Sequence, residues 1–120
     1  MTFKKLLLTV AAALTLTPMV FAGNDKPAEI TVISYNIRMG EAKDGTNSWE
    51  YRYPASAMMI EDQKPDVFGI QEAFDYQVRY MDEYCEGYKC VGVGREDGKR
   101  KGEHMSIFYN SKKIKMLKWG

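Results

Sequence analysis

Two short runs, ITVISYNI at residues 30–37 and DVFGIQE at residues 66–72, constrain this chain more than any other feature. Both are rich in β-branched and other apolar residues. The first carries them on both of its faces, the pattern of a strand buried on two sides, and the second is a short apolar run bounded by turn signals. Between them Pro54 fits a first helical turn, Ala57, Met58 and Ile60 give the helix an apolar side up to Gln63, and Lys64-Pro65 stops it. Strand, helix and strand in that order predict a parallel pair with a helical crossover. Each strand closes on polar residues, Asn36 in the first and Gln71-Glu72 in the second. An amide at the end of an otherwise buried strand needs a reason, and ligand sites in α/β sheets gather at the carboxyl ends of strands.

The rest of the chain extends the same architecture. From Ala73 a second helix is expected, with Phe74, Val78, Met81 and Cys85 along one face. Residues 88–94 read as a third strand and 95–103 as a charged, glycine-punctuated loop. Residues 105–110 and 114–119 read as two further strands. The order predicts an α/β fold in which a mixed sheet is layered with helices. Two crossover helices leave part of such a sheet uncovered, so an apolar face is expected to lie open. There are no internal repeats.

Ahead of this stands MTFKKLLLTVAAALTLTPMVFAG, with Lys4 and Lys5, an apolar stretch from Leu6 to Leu16, and Val20-Phe21-Ala22 before Gly23. That is the layout of a secretory signal peptide cut after Ala22, and it predicts a secreted or periplasmic protein. The apolar run is too short and too interrupted by threonines and Pro18 for a transmembrane anchor, so no transmembrane segment is expected in the mature chain. Residues 23–29 form a polar leader and residues 30–120 one domain. Cleavage removes two lysines and no acids from a chain with 17 Lys and Arg against 16 Asp and Glu. The near-neutral balance left behind argues against bulk electrostatic capture of nucleic acid. Cys85 and Cys90 would meet an oxidising compartment after export. They read equally well as a disulfide closed by a bend at Gly87 and as two free thiols.

If the first two strands are parallel neighbours, the Asn36 amide and the Glu72 carboxylate converge at one sheet end. Hard oxygen donors of this kind suit Mg²⁺ or Mn²⁺, which take one or two carboxylates and keep several waters for substrate phosphate to replace. Glu72 also reads as an acid at the start of the second helix, where it would complement the helix dipole.

Four segments taken in order, SYNIR, DGTNSWEYRYP, KPDVFGIQEAF and VGVGREDGKRKGEHMSIFYN, resemble the amino-terminal half of the endonuclease/exonuclease/phosphatase superfamily. The version with Trp49, Arg52 and the Gly-Arg-x-Asp-Gly loop is most similar to a secreted bacterial branch. The resemblance implies half of a four-layer β-sandwich with outer helices and a Mg²⁺-dependent phosphoester hydrolase (Mn²⁺ as a substitute) acting on a phosphate ester of unassigned class. It places Asn36 beside the metal and the scissile phosphate as a catalytic residue, and Glu72 and Asn36 together as the metal-binding residues. Arg38 stands where some members carry an acid that helps hold a metal. Arg95, Lys101, Glu103 and His104 fall on a loop that borders the substrate groove, although the same loop reads as a solvated hairpin with Glu96, Asp97 and Glu103 balancing its cations. Trp49 and Arg52 are expected to anchor a loop to the first helix, and Tyr76, Tyr80 and Tyr84 to pack at the surface. The family's Asp-x-Asn and Ser-Asp-His elements do not occur in this sequence, and His104 matches neither. The chain is therefore expected to represent a truncated form, or one half of a split protein with its carboxyl-terminal half missing, and to be inactive alone. A non-catalytic secreted binding module and a non-functional gene fragment stay open beside the hydrolase.

Overall fold

The structure, a computed structural model, describes residues 28–120. The expected signal peptide and most of the polar leader lie outside the described residues. Strand β1 (Val32–Asn36) is followed by a short 3-10 turn (Gly45–Asn47) and helix α1 (Trp49–Gln63). Then come β2 (Val67–Ala73), α2 (Asp75–Tyr84), β3 (Tyr88–Val91) and β4 (His104–Asn110). The strands form one mixed sheet in the order β1-β2-β4-β3. β1 and β2 pair in parallel from Val32↔Val67 to Asn36↔Gln71, while β4 runs antiparallel to both β2 and β3. The crossover expected between the first two strands is present and is made by α1.

One face of the sheet is covered by the helices and holds the core. Phe68, Ile70 and Phe108 from the strands and Ile60 and Met81 from the helices are all essentially inaccessible. Phe68 and Phe108 stack across β2 and β4 with centroids 4.6 Å apart. Full burial of a side chain of this size stabilises the fold by about 1.5–3 kcal/mol. Between the helices an aromatic cluster closes the layer, with Tyr80 edge-on to both Trp49 and Tyr53 and stacked on Tyr84. The opposite sheet face is open. Val32 is 65% exposed and Met105 76% exposed, and Ile107 lies on the same face, so the expected uncovered apolar face is present. Among the described residues no helix is long and apolar enough to cross a membrane.

Four local expectations are corrected. Helix α1 starts at Trp49 rather than at Pro54, which lies in its second turn. A proline there removes one ladder hydrogen bond and crowds the carbonyl four residues back, so the helix must be held by other contacts. The turn before it is held by burial of Trp49 and by the Arg52 side chain, which donates to the carbonyls of Asn47 and Ile37. Helix α2 starts at Asp75, and Ala73 belongs to β2. Residues 114–119 form no strand. Lys113 and Ile114 instead turn back to the Asn110 carbonyl, and Leu117 is 90% exposed, with no neighbouring strand to supply the ladder that its apolar pattern requires. The third strand is short, ending at Val91, with only an isolated bridge from Gly94 to His104 beyond it.

Candidate metal and phosphate site

The carboxyl ends of β1 and β2 lie side by side because the two strands are parallel and in register, Asn36 opposite Gln71. A one-residue bulge in β2 then decides where Glu72 goes. Ile70 pairs with Ser106 and Ala73 with His104, so three steps along β2 match two along β4. Without the extra residue Glu72 would follow Phe68 and Ile70 onto the helix-covered face. With it, Ala73 takes that buried place and Glu72 turns out. Glu72 adopts a left-handed backbone, φ 61°, as does Arg38 just beyond β1, φ 63°. Such a conformation is uncommon for residues other than glycine.

The Asn36 side chain spans the gap. Its Nδ2 donates to Glu72 Oε1 at 2.8 Å and its Oδ1 accepts from the Arg38 backbone N–H at 2.9 Å. A carboxylate only accepts and a backbone N–H only donates, so this orientation of the amide satisfies both contacts. One lone pair of the amide oxygen is taken by the backbone, and through Nδ2 Asn36 braces the carboxylate. Among the described residues no donor reaches Glu72 Oε2. Mg²⁺ commonly uses a single carboxylate and retained waters, so Glu72 fits as an anchoring ligand. Among the described residues no cluster of three or more His, Cys, Asp or Glu side chains is placed to hold a metal.

Beside this pair, Arg38 makes a two-pronged contact with Asp44, Nε to Oδ2 at 2.9 Å and Nη2 to Oδ1 at 3.1 Å. The hydrogen bonds it donates to Asp44, and then the Asp44 charge, raise the Arg38 pKa, and the same bonds lower that of Asp44. Where some family members carry an acid there is here a fixed cation at the rim of the site.

The remaining predicted residues lie elsewhere. His104 is the first residue of β4 rather than a loop residue, is 3% exposed, and contacts the Arg100 carbonyl through Nε2 at 3.2 Å. Arg95 and Glu103 pair with each other at 3.0 Å. Lys101 and its neighbours Lys99 and Arg100 donate their backbone N–H groups to Asp97 Oδ1, which lowers the Asp97 pKa. Among the described residues no hydrogen bond or ion pair joins Arg95, Lys101, Glu103 or His104 to Asn36 or Glu72. Trp49 and Arg52 anchor the loop that leads into α1, as expected, with the guanidinium 5.7 Å from the indole centroid. Cys85 and Cys90 are free thiols. Burial pushes their pKa values up to about 12 and about 11, which makes both poor nucleophiles.

Two residues of the site were not singled out from sequence. Asp44 lies in an irregular loop and carries no signal of its own. Gln77 does carry one, because it interrupts the apolar stripe of α2 three residues after Phe74 and is fully buried.

No protein-family model and no curated protein matches the chain. Solved structures do. A mannosyl-6-phosphatase from Bacteroides thetaiotaomicron is 42% identical over 77% of this chain and superposes with a TM-score of 0.72. An endonuclease/exonuclease/phosphatase family protein from the same organism is 43% identical over 76% of the chain, with a TM-score of 0.71. The chain belongs to the endonuclease/exonuclease/phosphatase superfamily. A third relative, the endonuclease/exonuclease/phosphatase from Bacteroides vulgatus, is 32% identical over 74% of it, with a TM-score of 0.71. The chain spans about a third of the length of each of these structures, 35%, 33% and 34%. The mixed sheet with its two helices is accordingly one part of the superfamily's fold.

Proposed function

We propose that this protein is a divalent-cation-dependent phosphoester hydrolase of the cell exterior or periplasm, with Glu72 as the cation's protein ligand. The observation that carries the reading is the 2.8 Å contact between Asn36 and Glu72 at the ends of two parallel strands, which leaves the second carboxylate oxygen without a donor among the described residues. Mg²⁺ or Mn²⁺ bound there would polarise the phosphoryl oxygens and neutralise charge as the leaving oxygen departs. Asn36 holds the carboxylate in place and sits beside the phosphate. Arg38, fixed by Asp44, offers its remaining N–H groups to an anionic substrate at the rim. Arg95 and Lys101 would make weaker contacts with the far end of a larger substrate. Glu103 neutralises Arg95, and His104 supports their loop from beneath. Among the described residues none is placed as a base for water, so these residues supply cation and phosphate binding rather than proton transfer.

The likeness to a mannosyl-6-phosphatase favours a phosphomonoester of a hexose over a phosphodiester. The test is Mn²⁺ titration followed by electron paramagnetic resonance, alone and with mannose 6-phosphate or bis(4-nitrophenyl) phosphate added to the Mn²⁺-loaded chain. Saturable Mn²⁺ binding that disappears in Glu72→Gln is expected, together with a larger spectral change on adding the monoester. Unchanged binding in Glu72→Gln would remove the basis of the reading.

A further inference from the structure

Gln77 carries no charge and lies on the buried face of α2, yet it makes three hydrogen bonds, all to backbone. Its Oε1 accepts from the Gly40 N–H at 2.8 Å and from the Phe74 N–H at 3.0 Å, and its Nε2 donates to the Arg38 carbonyl at 2.9 Å. Two N–H donors on the oxygen and a carbonyl on the nitrogen settle which end of the amide is which. The side chain is fully inaccessible. The three contacts are partly buried, so losing the side chain's polar atoms costs more than losing an ordinary exposed hydrogen bond.

The positions of those contacts matter more than their number. Arg38 lies two residues after Asn36 and Phe74 two residues after Glu72. One side chain thus ties together the chain segments leaving both strands immediately beyond the two residues of the site. Each segment contains a left-handed residue that is not glycine, Arg38 on one side and Glu72 on the other. Such conformations persist only where surrounding contacts over-determine them. On the β1 side the contacts run in series. Gln77 holds the Arg38 carbonyl, the Arg38 N–H holds Asn36 Oδ1, and Asn36 Nδ2 holds Glu72 Oε1. Gly40 completes the clamp, since an added Cβ there would lie 1.9 Å from the Tyr76 hydroxyl and 3.0 Å from Gln77 Cδ.

We infer that Gln77 is the positioning residue of the site, clamping the β1 and β2 exits so that Asn36 holds the Glu72 carboxylate in its cation-binding orientation. The inference rests on the metal reading of Glu72 for its consequence, though not for its geometry. Partners that orient a metal ligand typically change affinity by about 10- to 100-fold when removed.

The test is Gln77→Met, which preserves side-chain length and removes the polar atoms, measured in the full chain by Mn²⁺ affinity and by the nitrogen-bound proton resonances of the Asn36 side chain. Mn²⁺ affinity is expected to fall about 10-fold or more. The Asn36 resonances are expected to move toward solvent-exposed values. A core control, Ile60→Val or Ile60→Ala, whichever matches its loss of Tm, should leave both readouts in place. Gly40→Ala approaches the same clamp from the other side and should reproduce the loss if Gln77→Met does not fold. Parental Mn²⁺ affinity in a folded Gln77→Met, or an equal loss in the Ile60 control, overturns the inference. If the parent chain itself binds no Mn²⁺, the metal reading fails separately. The Asn36 resonances then decide alone, and their persistence in Gln77→Met overturns the clamp.

Discussion

The parallel pair β1–β2 carries a carboxylate at each end, and the two are treated in opposite ways. At the amino end Asp66 is 6% exposed and both of its oxygens are engaged, Oδ2 by the Thr31 backbone N–H at 2.9 Å and Oδ1 by Lys113 Nζ at 2.8 Å. At the carboxyl end Glu72 faces outward, one oxygen meets only a neutral amide, and among the described residues no lysine or arginine pairs with it. The lysine and the backbone N–H hold the Asp66 carboxyl below its ordinary pKa, with the Lys113 hydrogen bond as the larger cause. Asp66 is a closed contact that joins three segments, the start of β1, the start of β2 and the turn after β4. Glu72 is an open one, and an open carboxylate on a braced scaffold can take a cation.

The largest expected effect is the separation of binding from folding by mutation at the two ends. Glu72→Gln should lower cation binding by about 100-fold or more while changing stability by less than about 0.5 kcal/mol, because the side chain is a surface group without an ionic partner. Asp66→Asn should do the reverse, lowering Tm and leaving Mn²⁺ affinity unchanged. Equal effects of the two variants on binding would break the comparison.

Second in size is the cost of the clamp to stability. Gln77→Met leaves two N–H groups and one carbonyl without partners, and denaturant unfolding should show a loss of about 2–3 kcal/mol. Asn36→Ala comes next. It removes the brace but not the ligand, so Mn²⁺ affinity should fall by roughly 10-fold with the carboxylate still present.

Acid sharpens the contrast further. The folded-state pKa of Asp66 lies below its unfolded value, so its contribution is complete above the ordinary carboxylate range and is lost as pH falls through the lowered folded value. Asp44 and Asp97 are shifted the same way, by the Arg38 hydrogen bond and by backbone N–H groups respectively. Thermal unfolding should therefore show Tm dropping from about pH 4 downward, with a shallower drop in Asp66→Asn. The smallest effect belongs to the exposed Arg95–Glu103 pair, where Glu103→Gln should cost no more than about 1 kcal/mol and less in added salt.

Much of this was legible in the residues. The two apolar runs announced the strands, their flanks the parallel crossover, and the polar residues closing each run the sheet end at which Asn36 and Glu72 meet. The helix boundaries were less legible, because Pro54 is read locally as a start signal while burial of Trp49 acts over a longer range and carries the helix five residues further back. A strand at 114–119 was expected from apolar content alone, and a strand exists only where another offers a ladder.

What the sequence determined by itself is the order of elements from β1 to β4 and the polar residues that close the two parallel strands, since periodicity and turn chemistry are local properties. What only the tertiary structure decided is the state of each polar group. Whether Glu72 faces the core or solvent depends on a bulge defined by its register against β4, and which way the Asn36 amide is turned depends on an N–H two residues away. Whether Gln77 is an interruption in an apolar stripe or the clamp of the site depends on three backbone atoms, two of which lie in a distant part of the chain. Hydrogen bonds and register are relations between segments, and no single segment contains them.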